Sequence, residues 1–334
     1  MPKTSAEPVT WGILGCARIA ERAFVPAIRE ARNARLFGIA ARDESRAGEW
    51  AEKYAFRKSY RDYGALLEDP EIDAVYVPLP NHLHAEWTIR AARAGKHVLC
   101  EKPLALNEGE VREMFRTSDG TGVLLMEAFM YRFHPQFERT MELLKNGEIG
   151  DIRSLRSAFT FIYSGDEANY RWDKAMGGGA LYDVGCYPLN AARTVFGAEP
   201  ISVSALARIH PRSGIDLGTS LLLEFQADKH ALLDCAFDTQ FQSSLEISGS
   251  DGRIALGRAF SAKDFDVEIQ IFRGNDAERI PIPATNHYTR MVEHFGDAVR
   301  GIHPPRYGER DALGNARTTD AAFESIKTGR RVFR

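Results

Sequence analysis

Cysteine is scarce in this chain, and its four copies, Cys16, Cys100, Cys186 and Cys235, are too far apart for a CxxC pair or a Cys/His cluster at metal-ligand spacing. Neither a disulfide framework nor a metal site is expected, and the thiols read as small buried hydrophobes. Positive charge is not in excess: 43 Lys and Arg face 46 Asp and Glu, a net charge of -3. No electrostatic footprint for nucleic acid or an anionic membrane is left. No apolar run approaches bilayer length, and the opening MPKTSAEPVT lacks the apolar core of a secretion signal. A cytoplasmic location is the expectation. Internal repeats and low-complexity segments are also missing.

What is present is a chain of 334 residues, 44% hydrophobic and 27% charged, enough for two domains with their own cores. From Val9 to Leu125 short apolar runs (Trp11-Gly15, Arg35-Ala41, Ala74-Leu79, His97-Glu101, Val123-Phe129) alternate with helical patterns at Arg18-Arg32, Glu44-Tyr54, Leu83-Ala94 and Glu108-Arg116. Alternation of this kind predicts βαβ units and a doubly wound parallel sheet. A further helix is expected at His134-Lys145. Beyond Gly150 long runs at Ser154-Tyr163, Ser202-Ile209, Thr219-Phe225, Ala231-Phe237 and Ser244-Ile247 read as a meander. The fold class is therefore α/β, a Rossmann domain at 1–130 followed at 131–334 by an α+β domain with a large, mostly antiparallel, open-faced sheet. Late helices at Tyr288-Arg300 and Arg310-Lys327 are expected to pack back against the body.

The turn after the first strand, Gly15-Cys16-Ala17-Arg18-Ile19-Ala20, is a dinucleotide fingerprint with Ala17 in place of its second glycine. Gly15 permits the tight turn, and the helix N-terminus near Arg18 and Ile19 offers N–H groups to a pyrophosphate. The second strand ends Ala40-Ala41-Arg42-Asp43. Ala41 cannot accept from a ribose hydroxyl, whereas Arg42, with Arg46 nearby, can pair with a 2′-phosphate, so NADP is favoured. Asp43 keeps NAD open. The run HVLCEKPLAL then places Lys102 where a strand should stop, which is where open α/β sheets bind ligands. Taken alone, Lys102 reads equally well as a solvated lysine.

Five segments together, GILGCARIA at 12–20, VPLPNHLH at 77–84, KHVLCEKPLA at 96–105, MEAFMYRFHPQ at 126–136 and GGGALYDVGCYPLN at 177–190, show that the chain resembles the Gfo/Idh/MocA family of NAD(P)-dependent oxidoreductases over nearly its whole length. Within the family it is most similar to the branch of dihydrodiol dehydrogenases, NADP-dependent xylose dehydrogenases and glucose-fructose oxidoreductases. The resemblance places Glu101 and Lys102 beside the cofactor, with Lys102 near the reacting oxygen, and makes Lys102-Pro103 a candidate cis peptide. Pro80, Asn81 and His84 fall on the loop that approaches the cofactor ribose and nicotinamide, His84 as a structural donor rather than a base. The family's D-x-x-x-H/Y pair falls on Asp183 and Tyr187, a spacing that shares one helix face. Singly, Asp183 reads as a helix-surface acid and Tyr187 as a core aromatic.

With Lys102 they form a set able to move a proton during hydride transfer. Tyr187 is the first choice of acid/base and Lys102 the group that polarises the oxygen, with reversed roles left open. Asp183 is expected to accept a substrate hydroxyl and help hold the ammonium. Tyr131, Arg132, Tyr163, Arg171 and Trp172 are candidates for a sugar site. The expected activity is NADP-dependent hydride transfer to or from a sugar, ketosugar or polyol-like cyclic alcohol. A non-catalytic cofactor-binding sensor and an NAD-dependent glycoside hydrolase are the alternatives. A homodimer, or dimer of dimers, is expected through the far face of the second sheet, taken to be rich in Leu222, Phe225, Leu233 and Phe237.

Overall fold

A computed structural model describes residues 7–166 and 168–334; residues 1–6, where the first expected domain begins, lie outside the described residues. Six strands, β1 Val9–Leu14, β2 Ala34–Ala40, β3 Lys58–Tyr60, β4 Ala74–Val77, β5 His97–Cys100 and β6 Leu125–Glu127, form a wholly parallel sheet in the order β3-β2-β1-β4-β5-β6. Every residue of β1, β4 and β6 is buried, as a sheet covered on both faces requires. The order reverses between β1 and β4, so ligand-binding turns are expected at the strand ends there. The connecting helices are α1 Val25–Glu30, α2 Glu44–Lys53, α3 Tyr63–Leu67, α4 His84–Arg93 and α5 Glu108–Thr121. Asn107 caps α5 by accepting from Glu110 N at 3.0 Å, and Glu110 accepts in return from Leu106 N at 3.0 Å. The helix outruns its expected end at Arg116 and stops only where Gly122 turns left-handed at φ 71°. Strand β3 and α3 were not anticipated, because three residues, Lys58-Ser59-Tyr60, are too few and too polar to make an apolar run.

The second half opens with α6 Pro135–Lys145 and β7 Ile152–Ile162. After a π turn at Leu181–Gly185 come α7 Cys186–Phe196, β8 Ser202–Ile209, β9 Asp216–Glu224, β10 His230–Ala236, β11 Asp238–Gly249, β12 Arg253–Leu256, β13 Val267–Arg273 and β14 Asp276–Ile282. Helices α8 His287–Val299 and α9 Glu309–Thr328 and strand β15 Val332–Phe333 end the chain. The nine-stranded sheet runs β14-β13-β12-β11-β7-β10-β9-β8-β15 and is antiparallel except between β7 and β10. A second π turn, Ala20–Phe24, precedes α1. Each π turn is followed within three residues by a proline, Pro26 or Pro188, whose ring would clash with the carbonyl four residues back in a regular α-helix.

The far-face expectation is corrected by register. Leu233 lies in the cross-strand row Ala205, Leu221, Leu233, Ser157, Leu245, Leu256, Ile269 on the covered side of the sheet. Phe225 packs on Phe196 of α7, their rings 4.5 Å apart, and Phe237 lies against Phe161 and Tyr163. Of the four residues only Leu222 belongs to the other row, which runs Ser204, Leu222, Leu232, Arg156, Glu246, Ala255, Gln270. The open face is thus mixed rather than apolar.

The chain divides into two compact units, Met1–Met130 with Asn286–Leu313, and Tyr131–Thr285 with Gly314–Arg334. Residues 286–313, given to the second domain on sequence grounds, pack with the first unit. The α8 face of Met291, Val292 and Phe295 is fully buried, with Phe295 5.7 Å from the Trp11 ring of β1. Asp297 of the same helix binds Arg32 and accepts from Asn33 Nδ2 at 2.7 Å. An amphipathic pattern announces a buried face but not which sheet buries it.

Candidate active site

In the first unit the fingerprint turn leaves β1 at Gly15, whose φ of 105° and whose amide bond to Ala40 O at 2.8 Å bend the chain sharply. A Cβ at Gly15 would lie 2.9 Å from Leu79 Cδ2, so the position demands glycine. Ala17 accepts from Glu21 N and starts the helix, with Arg18 and Ile19 exposed in its first turn. Arg42, just past the end of β2, and Arg46, in the first turn of α2, are exposed, and Arg46 reaches back to Cys16 O at 3.1 Å. Asp43 is occupied: it caps α2, accepting from Ser45 N at 3.0 Å and Ser45 Oγ at 2.6 Å, which holds its carboxyl below the usual range. A tight glycine turn, a helix N-terminus and two exposed guanidinium groups beside buried Ala41 fit a dinucleotide carrying an extra phosphate.

Next along the same sheet edge, Pro80, Asn81 and His84 form the β4–α4 connection. His84 is fully buried, its ring nitrogens 2.7 Å from Leu79 O and 2.8 Å from Pro103 O, and burial pulls its pKa down to about 4. It sits between the two loops, and in its neutral form it can donate to only one of the two carbonyls. Glu101, also buried, accepts from Tyr76 Oη at 2.5 Å and from Lys102 N at 3.2 Å. Lys102-Pro103 is a cis peptide, and Leu104 N donates to the buried Glu127 at 2.8 Å. Lys102 is half-buried at the end of β5. Tyr76 and Glu127 were not picked out beforehand: each sits inside an apolar strand, and only strand pairing puts them beside the Glu101-Lys102-Pro103 turn.

In the second unit Asp183 and Tyr187 are both buried, on the π turn and the first turn of α7. The Tyr187 ring is caged by Phe159 at 5.3 Å, Phe260 at 5.6 Å and Tyr131 at 5.9 Å. Tyr131 is itself fully buried and donates to Asn190 Oδ1 at 2.6 Å, so it supports the cage from beneath. Arg132 is buried as well. Asp183 accepts a two-pronged bond from Arg171, Nε to Oδ2 at 2.7 Å and Nη2 to Oδ1 at 3.0 Å. Burial would lower the Arg171 pKa, but the Asp183 charge overrides it and holds the guanidinium above its usual range. Arg171 also lies over the rings of Tyr170 and Tyr163, at 4.9 and 5.7 Å. Trp172 extends the aromatic surface to Tyr163 and His210. Tyr163, Arg171 and Trp172 thus form one half-exposed group, while Tyr131 and Arg132 lie deeper. The bond from Arg171 to Asp183 was not foreseen, since twelve residues and a triglycine turn separate them.

A wholly parallel sheet with this glycine turn, followed along the chain by an α+β unit, has the make-up of a dinucleotide-binding protein. Residues 9–129 match the family described as "Oxidoreductase family, NAD-binding Rossmann fold" (Gfo/Idh/MocA), and residues 137–255 match the "GFO/IDH/MocA C-terminal domain". The chain belongs to the Gfo/Idh/MocA family and is an NAD(P)-dependent oxidoreductase. It is 38% identical to D-xylose 1-dehydrogenase (NADP(+)) 2 of Haloferax volcanii, over 96% of this chain and 98% of that one. It is 36% identical to a dTDP-3,4-didehydro-2,6-dideoxy-alpha-D-glucose 3-reductase of Actinomadura kijaniata, over 98% of this chain and 97% of the relative. The crystal structure of KijD10, a 3-ketoreductase from Actinomadura kijaniata in complex with NADP and TDP-benzene, superposes with a TM-score of 0.91 at 35% identity, covering 96% of this chain and 98% of that chain.

Proposed function

We propose that the protein is an NADP-preferring oxidoreductase that transfers a hydride to or from a sugar or ketosugar, with Lys102 and Tyr187 handling the proton. The observation that carries the reading is Lys102 at the end of β5, on the switch edge that also bears Gly15, Arg42 and Arg46. The NADP-linked relatives support the cofactor preference, and the xylose and dTDP-ketosugar relatives support the substrate class. When bound, NADP+ would accept the hydride in oxidation and NADPH would supply it in reduction. The chain moves the accompanying proton: in reduction Tyr187 Oη donates to the carbonyl oxygen while the Lys102 ammonium stabilises the developing alkoxide, and in oxidation the same groups run backwards. With Arg171 holding both Asp183 oxygens, Asp183 acts through a neutral pair rather than as an open carboxylate. Its substrate-facing role passes in part to Arg171, between the Tyr163 and Tyr170 rings.

The test is reduced-nicotinamide absorbance with NADP and NAD against D-xylose, other aldoses and trans-diols, and with NADPH against dTDP-3-ketosugars, running Lys102→Ala alongside. Turnover favouring NADP, reduced about 100-fold or more in Lys102→Ala, is expected. Cofactor binding without turnover on any of these substrates would refute the reading and point to a sensor. We propose further that two copies associate through the open face of the nine-stranded sheet. Leu232 and Phe241 stand exposed there, and an open groove of about 780 Å³ runs among Arg156, Asp234, Glu246 and Arg258. Sedimentation at micromolar protein should show a dimer, and Leu232→Glu should dissociate it.

A further inference from the structure

The best-placed group without a role so far is Asp216, at the start of β9. It is buried, and no basic side chain pairs with it among the described residues. Its Oδ2 accepts from Leu181 N at 2.7 Å and from Thr219 Oγ1 at 2.9 Å. Leu181 opens the π turn that carries Asp183. On its other side Asp216 meets the triglycine turn: Gly179 has φ 109°, and a Cβ there would lie 2.1 Å from Asp216 Oδ1. Gly179 N in turn donates to Arg171 O at 3.0 Å, and a Cβ on Gly178 would lie 2.5 Å from the same carbonyl. The Arg171 side chain then returns to Asp183. Contacts therefore close a ring, from Asp216 to the first turn of the helix, and from Asp216 through Gly179 and the Arg171 backbone to the Arg171–Asp183 ion pair.

We infer that Asp216 is a positioning residue: its carboxylate anchors the helix that presents Tyr187 and Asp183 and seats the turn that brings Arg171 to Asp183. The inference rests on the reading of Tyr187 given above. A carboxylate is an expensive way to satisfy one backbone N–H in the interior, since burial pushes its pKa up to about 6. A neutral serine or asparagine would cap the same N–H. What the charge adds is a fixed negative potential at the positive end of the helix, about 9 Å along the axis from Tyr187. Cys235 of β10 lies within electrostatic range of Asp216, and burial, with the Asp216 charge adding to it, holds the Cys235 thiol well above its usual range.

The test compares Asp216→Ala, Asp216→Asn and, for the underlying reading, Tyr187→Phe. Each is measured by kcat and KM against pH on the best ketosugar or sugar of the screen, by NADPH binding, and by hydrogen exchange of the 177–190 segment in the NADPH-bound enzyme. In Asp216→Ala kcat should fall about 10- to 100-fold with NADPH affinity retained, and exchange in that segment should rise about tenfold or more. Asp216→Asn keeps one acceptor oxygen and should recover most of kcat. Its alkaline limb for ketone reduction should move down, because the fixed negative charge behind the start of the helix is gone. If Asp216→Ala does not fold, the limb shift in Asp216→Asn decides. An inactive Tyr187→Phe beside an Asp216→Asn with an unmoved limb would overturn the role of Asp216 alone, whereas an active Tyr187→Phe would overturn the reading of Tyr187 on which it rests.

Discussion

Replacing Asp216 with asparagine should make the protein more stable at neutral pH while leaving most of its kcat. Burial raises the carboxyl from 3.8 to about 6, against the opposing pull of the Leu181 and Thr219 hydrogen bonds. A shift of about two units corresponds to about 3 kcal/mol. The sign follows from the direction. A carboxyl whose folded pKa is raised favours the folded state most below its unfolded value, near pH 4, and loses that contribution as pH climbs through about 6. Wild type should therefore lose up to about 3 kcal/mol from this group between pH 4 and pH 7, and Asp216→Asn, which carries no titrating group there, should not. Urea unfolding of both proteins at pH 4, 5, 6 and 7 measures it, because common titrations cancel in the difference. The stability gap should widen toward asparagine as pH rises. A difference that stays constant over that range would show that Asp216 is not held as a costly buried charge, and the reasoning would fail.

Four further outcomes follow from local geometry. Arg171→Ala should destabilise the second unit by about 3 kcal/mol, because it removes the two-pronged ion pair to the buried Asp183 carboxylate, and adding Asp183→Asn should recover part of the loss in a double-mutant cycle read by denaturant unfolding. Gly179→Ala should be severely destabilising, since its Cβ would sit 2.1 Å from Asp216 Oδ1 at φ 109°. Gly48→Ala, where no atom lies within 4 Å in the middle of α2, should stabilise by up to about 1 kcal/mol, and melting temperatures of the pair check both. Arg42→Ser combined with Arg46→Ser should weaken NADP about 10-fold or more while sparing NAD, measured by titration with each reduced cofactor, and equal losses for both would refute a 2′-phosphate role.

Local order in the chain was enough to read much of this protein. Short apolar runs and period-3.6 patterns located β1, β2, β4, β5 and helices that cover them, and β8 was anticipated residue for residue at Ser202–Ile209. Gly15, Arg42 and Lys102 could be singled out because each stands at a fixed offset from a strand end, whereas Asp183 and Tyr187 were reached only through the family resemblance. Such features depend on neighbours a few residues away, and the sequence states those neighbours outright. Tertiary structure alone decided the pairings that join distant segments. It turned Phe225, Leu233 and Phe237 to the covered side of the sheet, since one residue of register inverts a whole face. It assigned α8 to the first unit, set Glu127 beside Leu104, joined Arg171 to Asp183 and buried Asp216 under the triglycine turn. A carboxylate reads the same in one dimension whether it will meet water, a guanidinium or a helix end. Only the packed chain fixes its surroundings, and with them its charge and its work.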